Sequence, residues 1–490
     1  MNGSPPVRVR AAPAPSGSLH VGNVRTFLYN WLHARHSGGK FVLRIEDTDT
    51  SRFTEQAYVE VLEDLRWLGL DWDEGPQVEG PHAPYRQSQR TDLHKQAAER
   101  LLAAGNAYRC YCTKEELDER RKQAMAERRR PGYDGRCSRL TPEEVAAFEA
   151  EGRSSVVRVR VPDKGEIVFE DLVIGPVTTN LDQIDDFAIL RSDGAPLYHL
   201  AVVVDDGLME ISDVIRGDDL LSNTPKQILL HTALGNPIPK FGHLPQVLGP
   251  DRKPLGKRHG SVSVRDFREA GYLPEAMVNF LALLGWGTAD DTILSREELI
   301  ARFQVSDVHA SPAMFDTKKL DWMNGEYLRL LPEDELTRLV TPFYVKAGLV
   351  GEQLSDDERK KIDAATPLIQ TRIRRLEEAP GLVRGLFGSP EIDPEAARKA
   401  MSGAHVTELF ERTIKELATL EPWDKDNVEA TLRAVADDMG LKPRTAFAPF
   451  YVAISGSTVS APVFDLMTLL GRHDCLVRLQ RGLEVARNLR

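Results

Sequence analysis

The sequence has few cysteines and no long apolar segment. Its 490 residues include four cysteines, too few for a disulfide framework in a chain of this length. The longest apolar stretches, such as residues 281–286, are far shorter than a membrane-spanning helix requires. Residues 1–6 also lack the basic and then apolar pattern of a signal peptide. These features predict a cytoplasmic protein with no membrane partner.

The chain also lacks the excess of positive charge that is usual in nucleic-acid-binding proteins. Its formal net charge is -11, which argues against a general nucleic-acid binder. Lysine and arginine nevertheless cluster at residues 120–122, 128–130, 359–361 and 372–375. Phosphate contacts depend on such patches rather than on total charge, although each cluster alone is typical of a solvated helix face. The composition therefore neither supports nor excludes an RNA partner.

Apolar periodicity predicts an α/β fold in the first part of the chain. The predicted elements are strands at residues 7–12, 40–45, 200–204 and 209–215 and helices at residues 24–35, 54–70 and 91–104. Strands that alternate with helices predict a doubly wound, Rossmann-like parallel sheet. The chain has no G-x-G-x-x-G motif, which excludes the dinucleotide-binding version of this fold.

The rest of the chain has two other patterns. Between residues 108 and 190, a charged helix followed by short alternating strands predicts an α+β insertion within the sheet domain. After residue 332, nearly every segment has the periodicity of a helix. We therefore expect a multidomain protein, with an α/β doubly wound domain, an α+β insertion and a final all-α region.

Two short motifs, PAPSGSLHVGN at residues 13–23 and PLGKRHG at residues 254–260, suggest chemistry with phosphates. The first lies between a predicted strand and a predicted helix, so backbone N–H groups and the His20 imidazole meet at a helix N-terminus, which suits a polyphosphate. The second is a Gly/Pro loop with the cations Lys257 and Arg258, and mobile cations stabilise charge on a transferring phosphate. Alone, His20 or Lys257 is more typical of a surface side chain.

In this order, the two motifs resemble the nucleotide-binding signatures of class I aminoacyl-tRNA synthetases. Segments that resemble the bacterial glutamyl-tRNA synthetases lie at residues 43–49, 67–75, 84–88, 197–206, 214–219 and 454–464. The resemblance covers nearly the whole chain. It implies a monomer that ligates L-glutamate to tRNA-Glu through glutamyl-adenylate, uses ATP with Mg²⁺, and releases AMP and pyrophosphate. Such nucleotidyl transfer depends mostly on positioning and charge stabilisation.

The resemblance also implies a role for each predicted domain. The parts are a catalytic Rossmann-like domain in two halves at residues 1–107 and 192–252, an acceptor-stem-binding insertion at residues 108–191, a lysine-loop and stem-contact domain at residues 253–332, and helical anticodon-binding subdomains at residues 333–389 and 390–490.

The resemblance assigns the ATP and glutamate sites to named residues. The implied ATP-binding residues are Pro13, His20, Gly22, Asn23, Lys253, Lys257 and Arg258, with His20 and Lys257 catalytic. The implied glutamate-binding residues are Arg10, Ala12, Glu46, Tyr198 and Arg216. A planar guanidinium pairs with a carboxylate through two parallel bonds, whereas an amide turns a donor toward it, so Arg10 and Arg216 would select glutamate over glutamine. Without its neighbours, Arg10 would be interpreted as a surface arginine on an edge strand.

Three positions depart from the family pattern. Ala14 stands where the family often has serine, Pro254 stands at the first lysine of the loop, and Gly256 removes a hydroxyl and adds backbone freedom. Lys253, one residue before the loop, partly substitutes for the missing lysine. These departures leave open a catalytically weakened paralogue that binds tRNA. A glutamine-specific enzyme would instead end in β-barrels, for which the tail has too few strand signals.

Cys110, Cys112 and Cys137 resemble a zinc site that some of these synthetases carry in the inserted domain. A closed structural zinc site needs a fourth ligand, and the family histidine is Arg139 here. Tyr133 matches the ligand position of shorter relatives that attach glutamate to queuosine in tRNA-Asp, an alternative function that would not need the helical tail. The remaining alternative is a metal-free knuckle with buried thiols.

Residues 367–376 form a basic segment that is predicted to be helical. By the resemblance, Arg372 matches an arginine that some family members use to read the third anticodon base, which is cytosine in tRNA-Glu and guanine in tRNA-Gln. Because arginine can donate to the edge of cytosine, we expect discrimination against tRNA-Gln. The alternative is that Arg372, Arg374 and Arg375 form a solvated or phosphate-binding face.

Overall fold

The protein consists of two compact units. The computed structural model describes residues 6–15, 17–49, 53–78, 80–128, 131–260, 262–287, 290 and 292–489, and the side chain of Lys257 lies outside this description. Unit 1 is Met1–Phe267 with Met277–Asp316, and unit 2 is Arg268–Ala276 with Thr317–Arg490. None of the described helices is long and apolar enough to cross a membrane.

Strands are confined to the first two thirds of the described chain, whereas helices occur throughout. The strands are β1 (Arg8–Ala11), β2 (Lys40–Leu43), β3 (Ala107–Cys110), β4 (Val156–Val159), β5 (Glu166–Asp171), β6 (Gly175–Asn180), β7 (Ala188–Leu190), β8 (Asp213–Gly217), β9 (Lys240–Leu244), β10 (Val247–Leu248) and β11 (Ala313–Met314). The helices before residue 317 are α1 (Val21–Ser37), α2 (Glu55–Trp67), α3 (Thr91–Ala103), α4 (Lys114–Ala126), α5 (Pro142–Ala150), α6 (Tyr198–Leu208), α7 (Thr224–Leu234), α8 (Val264–Glu269), α9 (Pro274–Leu283) and α10 (Arg296–Arg302). The later helices are α11 (Thr317–Leu330), α12 (Glu333–Lys346), α13 (Asp356–Gln370), α14 (Ala379–Val383), α15 (Pro394–Met401), α16 (Val406–Ala418), α17 (Lys425–Asp438), α18 (Pro443–Ser455) and α19 (Val463–Asn488).

Parallel strand pairs joined by helices form the centre of unit 1. β1 pairs with β2 across α1, and β8 pairs with β9 across α7, in both cases in parallel. A four-stranded sheet has the order β6-β5-β9-β8, and a separate antiparallel sheet has the order β3-β4-β7. Because the β3-β4-β7 sheet lies within the inserted region, the predicted Rossmann-like domain with an α+β insertion is confirmed.

The first motif connects strand β1 to helix α1. The buried face of this helix includes Val24 and Leu28, four residues apart as amphipathic packing requires. Its first turn is capped by His20, whose Nδ1 accepts the backbone N–H of Gly22 at 3.1 Å. It ends at Ser37, and Gly38 follows with a φ of 66°, in the left-handed region that glycine tolerates.

The strand predicted at residues 200–204 is wrong, because this segment is part of helix α6. Its apolar residues, including Leu200, Val203 and Val204, are buried in a core that also contains residues of α3 and α7. A short apolar run that is buried on all sides has no polar face, so periodicity alone does not separate a strand from a helix. The strand predicted at residues 209–215 is displaced, since β8 begins at Asp213.

Unit 2 is built from helices. In α12, Leu336, Val340 and Tyr344 recur at every fourth residue and are fully buried together with Ile362 and Ile369 of α13. This spacing places one apolar face of each helix in a common core. The described residues of unit 2 contain no strand, which confirms the predicted all-α region and disagrees with the β-barrels expected of a glutamine-specific enzyme.

Candidate active site and cysteine cluster

A cleft of about 690 Å³ lies in unit 1 beside the first motif. The predicted site residues that line it are Arg10, Ala12, Pro13, His20, Gly22, Asn23, Glu46, Tyr198 and Arg216. The lysine loop contributes Pro254 and Leu255 to the lining, whereas Lys253 and Arg258 are exposed outside it. The predicted role of Lys257 concerns a side chain outside the described residues. The cleft thus joins the first motif to the whole set predicted for glutamate.

The cleft is positioned by the ends of parallel strands. Arg10 lies in β1, Glu46 follows the end of β2, and Arg216 lies in β8. Tyr198 is the first residue of helix α6, so its ring is held where that helix begins. In open α/β sheets, ligands bind beyond the carboxyl ends of the strands, near the N-termini of helices. The position of this cleft therefore favours binding of a small anionic ligand.

Two arginines and two carboxylates form a buried charge cluster on the wall of the cleft. Oδ1 of Asp206 accepts hydrogen bonds from Arg10 Nε at 3.2 Å and from Arg44 Nη1 at 2.6 Å. Arg44 Nη2 also donates to Glu46 Oε1 at 3.0 Å. Burial opposes ionisation of Asp206, but the charges of Arg10 and Arg44 outweigh it and lower its pKa to about 2. Burial is also the main influence on Glu46, and it raises the pKa of that carboxyl. Among the described residues, this cluster therefore holds Arg10 through Nε.

The guanidinium of Arg216 is held along one edge. Its Nε donates to His243 Nε2 at 3.1 Å, and its Nη2 donates to Thr224 Oγ1 at 2.7 Å. Its buried Nη1 has no hydrogen-bond partner among the residues that the structure describes. A buried guanidinium nitrogen without a partner carries a desolvation penalty. Because Arg216 also lines the cleft, its guanidinium charge attracts an anionic ligand there.

Hydrogen bonds connect the first motif to the segment that follows the lysine loop. Val21 N donates to Val262 O at 2.9 Å, and Val264 N donates to Leu19 O at 3.1 Å. Burial lowers the pKa of His20, which lies between these two contacts, and so favours its neutral form. The two motifs, more than 200 residues apart in the chain, are therefore anchored side by side.

Comparison with known proteins matches the chain over nearly its full length. Residues 6–322 match the family of class I tRNA synthetases (E and Q), catalytic domain, and residues 335–483 match an anticodon binding domain. The chain is 47% identical to the glutamate–tRNA ligase of Symbiobacterium thermophilum over 96% of its length and 99% of the relative's length. It is 45% identical to that of Moorella thermoacetica over 97% of its length and 98% of the relative's length. The chain belongs to the glutamate–tRNA ligase family of class I tRNA synthetases.

Solved glutamate–tRNA ligases share the fold. A crystal structure of the ligase from Elizabethkingia meningosepticum, described as a complex with its amino acid, superimposes with a TM-score of 0.86. It covers 98% of this chain and 99% of its own at 32% identity. A crystal structure of the synthetase from Elizabethkingia anophelis gives a TM-score of 0.85, also at 32% identity, with 98% and 100% of the two chains covered. The catalytic α/β domain and the helical anticodon-binding region are thus those of a glutamate–tRNA ligase.

Sequence reasoning missed the residues that hold the two pocket arginines, and it missed Arg44, which shares Asp206 with Arg10. Asp206 and Arg44 lie inside segments that resemble the glutamate–tRNA ligase family, so the same resemblance could have drawn attention to them. His243 is a single polar residue in the buried strand β9, which is only a weak signal. Its significance depends on its neighbour across the sheet, which the sequence does not reveal.

The three cysteines predicted for a metal site lie together in the inserted region. The sulfur atoms of Cys110, Cys112 and Cys137 are within 4.8 Å of one another, and those of Cys112 and Cys137 are 3.5 Å apart. Tetrahedral Zn²⁺ with Zn–S bonds of about 2.3 Å places two sulfurs about 3.8 Å apart. Hydrogen bonding within the cluster lowers the pKa of Cys110 and raises the pKa of Cys112, as expected of thiols that share protons. The donor set fits Zn²⁺.

An oxygen that could serve as the fourth ligand lies beside these three thiols. Oη of Tyr133 is 3.3 Å from Cys110 Sγ and accepts the backbone N–H of Cys137 at 3.0 Å. Arg139, which stands at the histidine position of the family, is exposed and donates to the carbonyl of Asp134. Tyr133 is therefore close enough to complete the set, and Arg139 points its donor elsewhere.

The basic segment of unit 2 is not a helix at the predicted arginine. Helix α13 ends at Gln370, and Arg372 lies in the turn that follows, where its side chain is exposed. Arg375 is engaged by acidic side chains, with Nη1 2.6 Å from Glu377 and Nε 3.2 Å from Glu378. Arg372 has no ion pair among the described residues, so it differs from Arg375 in being available to a ligand.

Proposed function

We propose that the chain ligates L-glutamate to tRNA-Glu with ATP, through glutamyl-adenylate. The observation that carries this proposal is the buried guanidinium of Arg216, which lines the cleft and leaves Nη1 without a partner among the described residues. Such a donor, with Arg10 on the same cleft, suits a carboxylate better than an amide. The glutamate–tRNA ligase family of the chain supports the same substrate.

In the proposed pocket, the two arginines and two acceptors divide the groups of glutamate between them. Arg216 and Arg10 pair with carboxylates, Glu46 accepts from the ammonium group, and the Tyr198 hydroxyl hydrogen-bonds to the side chain. Ala12 and Ala14 leave room beside the substrate but offer no side-chain polar contact. Selectivity against glutamine follows because an amide would turn an N–H donor toward a guanidinium, leaving buried polar groups unpaired.

In the proposed activation step, the glutamate carboxylate attacks the α-phosphorus of ATP and pyrophosphate leaves. His20 and Asn23 are placed at the N-terminus of α1 to donate to the phosphates, and the helix dipole adds to this attraction. A Cβ at Gly22 would lie 3.3 Å from His20 Nδ1, so glycine keeps this cap and the approach to it open. Lys257 stabilises the leaving pyrophosphate, and Lys253 and Arg258 add charge nearby.

ATP is proposed to bind with Mg²⁺, which in proteins is held largely by substrate phosphates. The tRNA then supplies a terminal ribose hydroxyl, which attacks the carbonyl carbon of the adenylate, and AMP leaves. The contribution of the protein to both steps is alignment and charge stabilisation. Residues 108–191 are proposed to contact the acceptor stem and residues 333–490 the anticodon arm, and the anticodon-binding match over residues 335–483 supports the second assignment.

We also propose that Cys110, Cys112, Cys137 and Tyr133 hold one structural Zn²⁺. The bound ion would cross-link β3 to the loop that carries Tyr133 and Cys137, and structural zinc contributes directly to folding.

Arg372 is proposed to read the third anticodon base. Its exposure and its lack of an ion pair among the described residues support this role, and a monomer in the cytoplasm remains the predicted state.

The proposed function is tested by charging purified tRNA with radiolabelled glutamate. We expect ATP-dependent transfer of glutamate to tRNA-Glu, no transfer of glutamine, and no glutamylation of tRNA-Asp. Binding of tRNA-Glu without transfer of glutamate would instead identify a weakened paralogue. Glutamylation of tRNA-Asp would identify a queuosine-type activity.

A further inference from the structure

Three neighbouring strands place a carboxylate, an imidazole and the pocket guanidinium in one row. Asp171 ends β5, His243 lies in β9, and Arg216 lies in β8 directly opposite His243 in the parallel register. The three strands are adjacent in the sheet, with β9 in the middle. His243 is fully buried, and Asp171 and Arg216 are 2% and 4% exposed. This row lies behind the pocket arginine.

We propose that Asp171 and His243 are positioning residues, which set the orientation of the Arg216 guanidinium and thereby the affinity for glutamate. The inference rests on the proposed function, in which Arg216 pairs with a carboxylate of the substrate. It assigns a role to two residues that do not line the cleft themselves.

The hydrogen bonds determine which nitrogen of His243 carries the proton. Its Nε2 lies 3.1 Å from Arg216 Nε, which is always a donor, so Nε2 must be an acceptor. The proton is therefore on Nδ1, which donates to Asp171 Oδ2 at 2.6 Å. Burial lowers the pKa of His243 and favours this neutral form. Asp171 thus selects the tautomer that can hold the arginine.

Thr224 completes the hold on the guanidinium. Its Oγ1 accepts from Arg216 Nη2 at 2.7 Å and lies 3.0 Å from His243 Nε2. The Nε and Nη2 edge of the guanidinium is therefore fixed by side chains. The plane of the group is set, and Nη1 is the atom that remains without a partner among the described residues.

The substitution Asp171→Asn keeps the shape of the side chain but removes its charge and changes the tautomer of His243. Oδ1 of Asp171 accepts three backbone N–H groups, from Val173, Ile174 and His243 at 3.0, 3.0 and 3.1 Å. An asparagine must keep its oxygen at this position, so its NH₂ group faces Nδ1 of His243. The proton then moves to Nε2, where an N–H faces the N–H of Arg216. This near-isosteric change therefore turns the acceptor of Arg216 into a donor.

The test measures glutamate charging of tRNA-Glu by the full chain and its variants. Asp171→Asn and His243→Leu should raise the KM for glutamate by ~10- to 100-fold, the usual effect of losing a hydrogen bond to a charged group. The KM for ATP and the KM for tRNA should stay within about twofold of the parent values, because Arg216 is proposed to contact only glutamate. His243→Gln keeps an acceptor for Arg216 and a donor for Asp171, so it should restore most of the glutamate affinity.

A matched control is His94→Gln, which alters another fully buried histidine–aspartate pair of unit 1, 3.0 Å from Asp205. This variant should leave the KM for glutamate near that of the parent even where thermal unfolding shows a similar loss of stability. Asp171→Asn with an unchanged KM for glutamate would overturn the positioning role, as would equal losses in His243→Gln and His243→Leu. A parent that charges no glutamate would instead refute the proposed function, so the two failures are distinguishable.

Discussion

Asp206→Asn tests whether the buried charge cluster supports both folding and the pocket. Asparagine keeps an oxygen that can accept from Arg10 and Arg44, so the substitution removes charge rather than shape. The pKa of Asp206 falls from 3.8 to about 2 in the folded protein. At about 1.36 kcal/mol for each pKa unit, the ionised carboxylate contributes roughly 2 kcal/mol to the free energy of unfolding. Leaving a buried charge without its partner costs about 3–5 kcal/mol in other proteins. We therefore expect Asp206→Asn to lower the free energy of unfolding by about 2–5 kcal/mol.

The sign of the pH dependence follows from the lowered pKa. The stabilisation is present above the unfolded pKa of 3.8 and is lost as the pH falls toward the folded pKa of about 2. The difference in stability between parent and Asp206→Asn should therefore be constant from about pH 8 to pH 5 and narrow only below that range. A difference that shrinks between pH 8 and pH 5 would assign the effect to another group.

The assay is urea unfolding followed by tryptophan fluorescence, together with glutamate charging. The control is Glu60→Gln, which removes a surface ion pair with Arg265, itself 56% exposed in its side chain. Such pairs contribute about 0–1 kcal/mol, so the control should unfold close to the parent. Because Asp206 holds Arg10 by Nε, Asp206→Asn should also raise the KM for glutamate. A variant as stable as Glu60→Gln, with an unchanged KM for glutamate, would refute the reasoning.

Three further predictions concern the loop, the metal and the anticodon. Lys257→Ala should slow charging at least ~100-fold by deleting a cation from the phosphate site. Gly256→Ser is its control, since among the described residues other than its two chain neighbours the atom nearest to a Cβ there is Pro254 O, at 4.0 Å. Equal charging rates for both variants would show that Lys257 has no catalytic role. Purified protein should hold about one equivalent of Zn²⁺ that Cys110→Ser loses, whereas metal-free protein with freely titrating thiols would establish the metal-free knuckle. Arg372→Gln should charge tRNA-Gln relatively better and tRNA-Glu modestly less, with Arg375→Gln as control. An equal loss on both tRNAs would show phosphate contact rather than base reading.

The sequence by itself determined the elements and motifs whose signals are local. Helices such as α3 and α12 follow from apolar spacing, and the first motif follows from a strand, a Pro/Gly turn and a helix in succession. These signals are readable because the residues that satisfy one another lie within a few turns of the chain. Two local interpretations were wrong because the local pattern there does not distinguish one kind of element from another. Residues 200–204 are apolar on every side, and Arg372 follows the last turn of α13, where periodicity no longer identifies the element.

Only the tertiary structure decided which partners hold the pocket arginines. Arg10 and Asp206 are separated by 196 positions, and Asp171 meets His243 72 positions later. These pairings depend on which strands become neighbours and in what register, and that choice is made by burial of the whole sheet against its helices. A buried arginine needs a partner that the crossover connections bring to it, because desolvation leaves no water to take that place. The side chains that recognise a ligand therefore stand in motifs that can be identified locally, whereas the fold decides which residues orient them.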